Sequence, residues 1–445
     1  MDFNTFKKIV IEKCAEMGIE EYELYYTTAE STTVSAFQQE INEFTSSKEG
    51  GLCFRCIVNG KMGYASTEAL NEATAAAVVE RAADNASVLE AEEPVFLCEG
   101  GKTYQEITRK PYDLPGTDVL IAKVLKTQKA MYDADAMVID GTQAQGVAES
   151  SETAIYNSKG LDLRNTNTLT ALVAVSVIRS GEEMENDFKI KLGQLDTIDE
   201  QALAEELVKA TKVKLGGDVA PTGQYPVVFA PEAMADLLAV YSSIFSSEAA
   251  QKGLSKLAGK EGEAIASEAV TLVDDPFHPM SPMQWSFDAE GCPTRAKNLI
   301  EKGQFKTLLY NLKTANMAGV ETTGNASKAG YDAPVGIRPF VLCLNPGGIS
   351  REALLQKAGN GVYIQSLEGL HAGANAVSGD FSLQSSGFMI EEGQLTKYVK
   401  SFTVAGNFYD LLKNVKDVAS DLKLPGMGRF GSPSVLVEGL SIAGK

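Results

Sequence analysis

The chain has 445 residues, with 40 basic and 59 acidic side chains, for a formal net charge of −19. At 44% apolar and 22% charged residues the composition is globular, which excludes wholesale disorder, and a chain this long can bury a large core. No basic face is evident, so direct nucleic-acid binding is not expected, because neutralising phosphates takes clustered Lys and Arg.

Length suggests two or three domains at about 150 residues each. Met1 to Lys8 contain no apolar run of the kind a signal peptide needs. Nowhere do about 18 apolar residues run together, so no membrane partner is expected. Six cysteines, at positions 14, 53, 56, 98, 292 and 343, are too sparse for a disulfide framework. They fit reduced thiols and a cytoplasmic location.

Residues 5–17 place Phe6, Ile9, Val10, Cys14 and Met17 at helical spacing, and Gly18 suits a C-terminal stop. Alternating runs follow at Tyr22–Thr28, Thr32–Phe37 and Leu52–Val58. The last enters Asn59-Gly60, a two-residue hairpin signal because both residues tolerate positive φ. Ala69–Ala86 is alanine-rich and reads as a helix. The chain loosens over 90–116, through Glu90-Ala91-Glu92-Glu93-Pro94 and Pro115-Gly116, and a first boundary is placed there. A helix over 117–132 precedes a strand, a turn at Asn157–Gly160 and a β-rich run at Leu169–Ile178. The helix Glu200–Lys214 then ends at Gly216-Gly217, and Pro221-Thr222-Gly223 marks a second boundary. Three domains are therefore expected, at 1–95, 96–220 and 221–445. The fold class is α+β, with helix-on-sheet units in the N-terminal half and a larger β-rich C-terminal domain. Within the last, Ile300–Phe305 is echoed by Ile390–Leu395, read as two ordinary hairpins of one large sheet.

The chemistry is defined as much by what is missing. Only two histidines exist, His278 and His371, so a helical zinc-peptidase motif with two His ligands one turn apart cannot form. Cys53-Phe54-Arg55-Cys56 has CxxC spacing, but residues three apart in a strand point to opposite faces, and buried structural thiols are the reading. Gly426–Gly431 matches GxGxxG, yet Pro425 precedes it and only 14 residues follow, which leaves no room for a dinucleotide-binding unit. No catalytic or metal-ligating residue is assigned. The densest polar stretch is Gly369–Phe388, whose glycines and hydroxyls suit a site lining. His371, Asn375, Asp380, Ser382 and Ser386 are the candidates there for lining a peptide site or contacting another subunit.

This stretch, Gly369-Leu370-His371-Ala372-Gly373-Ala374-Asn375 with Gly379-Asp380-Phe381-Ser382, Ser386-Gly387-Phe388 and Ala405-Gly406-Asn407, resembles the TldD/PmbA family in its PmbA (TldE) branch. Asp274-Asp275-Pro276, Phe287–Gly291, Thr323–Ala326, Ile155–Ser158 and Gly60–Tyr64 match the same branch, so the resemblance spans the chain in one order. It implies a subunit of a cytoplasmic heteromeric metallopeptidase that degrades or processes small or unfolded peptides. A TldD-type partner carries HExxxH, a later cysteine ligand and the zinc, and this chain holds no cofactor. The family's older label, modulator of DNA gyrase, reflects peptide targets that act on gyrase. The metal helix corresponds to about Ala233–Ala250 here, which has no His, and the 426–431 loop has no Cys.

Two other readings stand beside it. One is a homodimeric, non-enzymatic peptide-binding or scaffold protein. The other is a self-sufficient hydrolase using His371, Asp380 and a nearby Ser.

Overall fold

The computed structural model describes residues 1–90 and 93–445. The loosening read at Glu90–Pro94 thus falls partly on Ala91 and Glu92, outside the described residues. Among the described residues no helix is long and apolar enough to cross a membrane.

The first half is built on one sheet. Helix α1 (Phe3–Glu16) is capped by the Asp2 carboxylate, which accepts from the Thr5 N–H. Strands β1 (Glu21–Phe37), β2 (Glu40–Val58) and β3 (Lys61–Thr67) precede α2 (Glu72–Val88) and α3 (Thr117–Ala134). Strands β4 (Gln143–Asn157), β5 (Asp162–Ser180) and β6 (Glu183–Leu192) precede α4 (Glu200–Val213). Sheet order is β3-β2-β1-β4-β5-β6, and β1 pairs with β4 from Glu23↔Asn157 to Phe37↔Gln143. The regions drawn at 1–95 and 96–220 thus contribute three strands each to one continuous antiparallel sheet.

The period-2 pattern explains how this sheet is covered. On β1, Tyr22 and Leu24 pack with α1 and α2 residues such as Phe6 and Val79, while Val34 and Ala36 pack with Leu120 and Leu207 of α3 and α4. These four β1 residues share one face, so the two helix pairs cover opposite ends of the same side.

The expected hairpin at Asn59-Gly60 is present, with φ of 51° and 73°. The β1–β2 turn, at Gln38 and Gln39, has φ of 51° and 62° at residues that rarely adopt it. Tertiary contacts hold it. Gln39 N–H donates to Gln128 Oε1 at 2.8 Å, and Gln128 Nε2 donates to the carbonyls of Ala36 and Thr142. This anchoring extends β2 back to Glu40, through a polar run that alternation alone does not mark.

The second half begins with β7 (Gly223–Phe229), α5 (Pro231–Tyr241), α6 (Ser247–Gln251), β8 (Leu272–Asp274), β9 (Lys297–Glu301), β10 (Gln304–Phe305) and α7 (Leu312–Ala318). It continues through β11 (Ala326–Ser327), β12 (Gly336–Ile337), β13 (Leu342–Leu344), α8 (Arg351–Ala358), β14 (Gly361–Glu368) and α9 (Leu370–Gly373). It ends with β15 (Asp380–Glu391), β16 (Gln394–Asn407), α10 (Phe408–Lys413), β17 (Val415–Val418), β18 (Phe430–Gly431) and β19 (Val435–Ala443).

Its larger sheet runs β16-β15-β14-β7-β19-β17, and β16 also pairs with β19 at Thr403↔Ala443, so five strands close on themselves. The core around them holds Phe229, Tyr241, Phe305, Phe402 and Phe408, all fully buried. Burying each such ring contributes about 1.5–3 kcal/mol. The two echoed hairpins share their geometry, with Lys302 and Gly303 at φ 46° and 80° and Glu392 and Gly393 at 48° and 76°. They lie in different sheets, however: β9–β10 belongs to the smaller sheet β10-β9-β8-β13-β18 and β15–β16 to the larger. A two-residue turn specifies local geometry and carries no information about which sheet receives it.

Candidate functional site

The Gly369–Phe388 stretch folds into a one-turn helix, a tight loop and a strand. Gly369 enters at φ 73°, and Gly373 packs so closely that a Cβ there would meet the Ser382 carbonyl at 2.4 Å. Asn375 Oδ1 accepts from the N–H groups of Val377 and Ser378 at 2.9 and 3.1 Å, and its own N–H donates to the Asp380 carbonyl. Asp380 Oδ1 accepts from Asn407 Nδ2 at 2.8 Å. That bond, with help from Ser378, holds the carboxyl below its usual range. Ser382 stands exposed on β15, on the same face as Asp380. Ser386 is set apart, 2.6 Å from Ser366 Oγ and accepting from the Tyr398 hydroxyl at 3.0 Å. His371 is exposed on α9. The structure therefore brings Asn375 and Asp380 together, with Ser382 adjoining. The Asp380 carboxylate is engaged by Asn407 and Ser378, and no hydrogen bond joins it to His371 among the described residues.

The segment matching the metal helix differs from the single helix expected over Ala233–Ala250. It is broken into α5, a 3₁₀ turn at Ser242–Phe245 and α6. Serine hydroxyls compete for the backbone here: Ser242 Oγ donates to the Ala239 carbonyl, and Ser246 Oγ caps α6 at the Ala249 N–H. Helix α5 also begins earlier, with Pro231 in its first turn, and buries Ala233, Met234, Leu237, Leu238 and Tyr241. Its two polar side chains, Glu232 and Asp236, lie four apart on one face. Lys423 Nζ donates to Glu232 at 2.9 Å, and burial with help from Glu232 pushes Asp236 up to about 6. The glycine loop ends in β18 beside α5, where Cys343 pairs opposite Gly431. Burial pushes the Cys343 thiol up to about 12. Among the described residues no three His, Cys, Asp or Glu side chains gather closely enough to hold a metal ion. Two carboxylates, one partly neutralised by burial and one paired with a lysine, do not fit zinc's preference for several nitrogen or sulfur donors.

A third cluster was not singled out by sequence reasoning. The C-terminal half docks on the sheet face opposite the helices, and it buries the residues that alternation directs there. Glu23 and Arg55 stand opposite each other on β1 and β2 and are only 1% and 5% exposed. Arg55 Nε donates to Glu23 Oε1 at 2.8 Å, and Arg55 Nη1 lies 3.9 Å from Glu290 Oε1. Asn157 Nδ2 donates to Glu23 Oε2, and the buried Cys98 and Cys292 place their sulfurs 2.8 Å apart. Burial raises Glu290 to about 7 and, through the same cause, Asp288 to about 6. A cavity of about 450 Å³ opens beside Arg55 and Glu290, walled by Tyr64, Phe96, Leu312 and Met317. The available signal was a pair of opposite charges within runs that are otherwise apolar, at Glu23 and Arg55.

The comparisons with known proteins cover the whole arrangement. The description "PmbA/TldA metallopeptidase C-terminal domain" matches residues 222–444, its domain 1 matches 22–86 and its central domain 110–215. A metalloprotease of Methanothermobacter thermautotrophicus is 28% identical over 418 residues, which covers 91% of this chain and 88% of that protein. The metalloprotease PmbA homolog of Haemophilus influenzae is 25% identical over 429 residues, covering 95% and 92%. Among solved structures, TldE from Thermococcus kodakarensis superimposes with a TM-score of 0.89 at 27% identity, over 98% of this chain and 99% of that one. A Thermotoga maritima protein, described as a proposed modulator of a DNA gyrase, gives 0.91 at 29% identity, over 99% and 100%. With its three domains matched in order and its fold reproduced end to end, this chain belongs to the PmbA/TldD metallopeptidase family.

Proposed function

We propose that this chain is the PmbA/TldE-like subunit of a cytoplasmic heteromeric metallopeptidase that degrades or processes small or unfolded peptides. The zinc is supplied by a TldD-type partner. The observation that carries this reading is the donor set over Ala233–Ala250, the segment that resembles the family's metal helix: Asp236 and Glu248 are its only acids, with no imidazole and no adjoining thiolate to complete a zinc site. The contribution of this subunit is then to help enclose the partner's metal and to admit extended chains, which can add to a sheet edge through main-chain hydrogen bonds. The Asn375–Asp380–Ser382 surface is the proposed lining or subunit contact. The charge of −19 supports a peptide partner over nucleic acid.

The test is co-purification with and without a TldD-type partner. Peptidase activity is expected only in the mixture, with zinc tracking the partner. Turnover by this chain alone, with stoichiometric zinc, overturns the proposal. A stable homodimer that ignores the partner, measured by native mass, would favour the scaffold reading instead.

A further inference from the structure

A second cavity, of about 180 Å³, lies where β1, β4 and β5 meet the C-terminal half. Three cations line it: Lys328, Arg338 and Arg429. In so acidic a chain, none of the three forms an ion pair with a carboxylate among the described residues. Arg429 donates from Nε and Nη2 to the carbonyls of Phe340 and Pro339, both at 3.2 Å, and lies 5.5 Å from the Trp285 ring. Its Nη1 remains for a ligand. Lys328 Nζ sits 5.0 Å from the Tyr25 ring.

One acid faces the same space, and it is already engaged. Asp288 Oδ1 accepts from the N–H groups of Glu290 and Cys292, and Oδ2 accepts from that of Ala326, all at 2.9 Å. The nearby carboxylates are committed as well. Asp274 is bonded to Lys297 and Asn325, and Glu23 to Arg55. Burial pushes Arg429 down to about 10, with Arg338 adding to it, and burial also pushes Lys328 down. Lys328 and Arg429 are thus partly desolvated with no carboxylate paired to either, and an anion would supply the missing partner.

The decisive detail is Asn165. It is 6% exposed, and its Nδ2 donates to the Gln284 carbonyl at 3.2 Å, while its Oδ1 has no partner. A buried carbonyl oxygen left without a donor is costly, and here it lines the same cavity as the cations. The complement is a ligand with an anionic head and an adjacent N–H. A cavity of this size has room for a small terminal residue.

We propose that this cavity receives the C-terminal carboxylate of a peptide, with Lys328, Arg338 and Arg429 around the carboxylate and Asn165 Oδ1 accepting the terminal amide N–H. Arginine forks match carboxylates in shape, and capture of a chain terminus gives affinity without side-chain specificity. The choice of a peptide rests on the proposed function. The basic, acceptor-bearing cavity does not.

Trp285 is the only tryptophan in the chain and lines the cavity, so its fluorescence reports on this site alone. The full chain, without partner, is titrated with acetyl-trialanine as the free acid, with the same peptide as its C-terminal amide, and with inorganic phosphate. The free acid is expected to shift the emission saturably, with the amide at least tenfold weaker. Arg338→Gln, at an exposed position, is expected to weaken the acid at least tenfold at unchanged melting temperature, and Asn165→Ala to weaken it at least tenfold. Equal binding of acid and amide, saturation by phosphate but not by the free acid, or full affinity in Arg338→Gln would overturn it. Because the titration uses the lone chain, its failure leaves the partner-dependent peptidase assay standing, and the reverse also holds.

Discussion

Glu23 and Arg55 face each other directly across the β1–β2 ladder, and both are sealed beneath the C-terminal half. Arg55 Nη2 lies 2.7 Å from the same Glu23 oxygen that Nε bonds, but makes no hydrogen bond of its own. Removing one partner of such a pair strands the other in a low-dielectric site. Arg55→Met is therefore expected to cost about 3–5 kcal/mol, read as a lowered midpoint in urea. The double variant Arg55→Met with Glu23→Gln should recover much of that loss. If the single variant unfolds at the wild-type midpoint, the pair is not sealed as described.

Glu290 adds a pH dependence whose sign follows from its surroundings. Burial outweighs the attraction of Arg55, and the neighbouring Asp288 adds to it, raising the carboxyl from 4.5 to about 7. The native state keeps a proton that the unfolded chain releases above its ordinary range. Stability from this group is complete below pH 4.5 and is lost as pH rises toward 7. Melting curves from pH 5 to 8 should show that decline, and Glu290→Gln should flatten it.

The turn at Gln38-Gln39 offers a stabilising change. Gln39 is exposed, at φ 62°, in a region that costs an L-residue about 1–2 kcal/mol. Gln39→Gly relieves that cost and is expected to raise stability by about 1 kcal/mol, offset in part by glycine's greater freedom when unfolded. Gln128→Ala goes the other way. It leaves the Gln39 N–H and the Ala36 and Thr142 carbonyls without their partner, for a loss of about 1–3 kcal/mol. Denaturant midpoints of the two variants should move in opposite directions.

Cys98 and Cys292 join segments 194 positions apart, with Cys292 Sγ donating to Cys98 Sγ at 2.8 Å. Hydrogen bonding from Cys292 lowers the Cys98 thiol's pKa, which favours its thiolate. Treatment with hydrogen peroxide is expected to join this pair before any other, two thiols yielding one disulfide and two waters. Peptide mapping by mass spectrometry would identify the 98–292 link, and Cys292→Ser should abolish it. A preferred link through Cys53 or Cys56 would contradict the geometry.

Much of the local architecture was written in the residues. The spacing of Phe6, Val10 and Cys14, the alanine-rich run before Val88 and the Asn59-Gly60 turn all correspond to elements of the fold, because helix faces and tight turns depend on neighbours within a few positions. The loop around Asn375 and Asp380 was visible as a polar, glycine-rich stretch, but its internal bonding through Asn407 was not. That partner arrives from the next strand.

The sequence by itself determined which side chains exist to do chemistry: two distant histidines, a single tryptophan, and an α5 with two acids and no histidine. Only the tertiary structure decided that Glu23, Arg55 and Asn165 are buried. Alternation along a strand separates two faces, but it cannot say whether water or another layer of protein covers the second. Here much of the covering layer comes from residues more than a hundred positions away, such as Gln284 and Glu290, and it turns a polar face into partly enclosed, charged cavities.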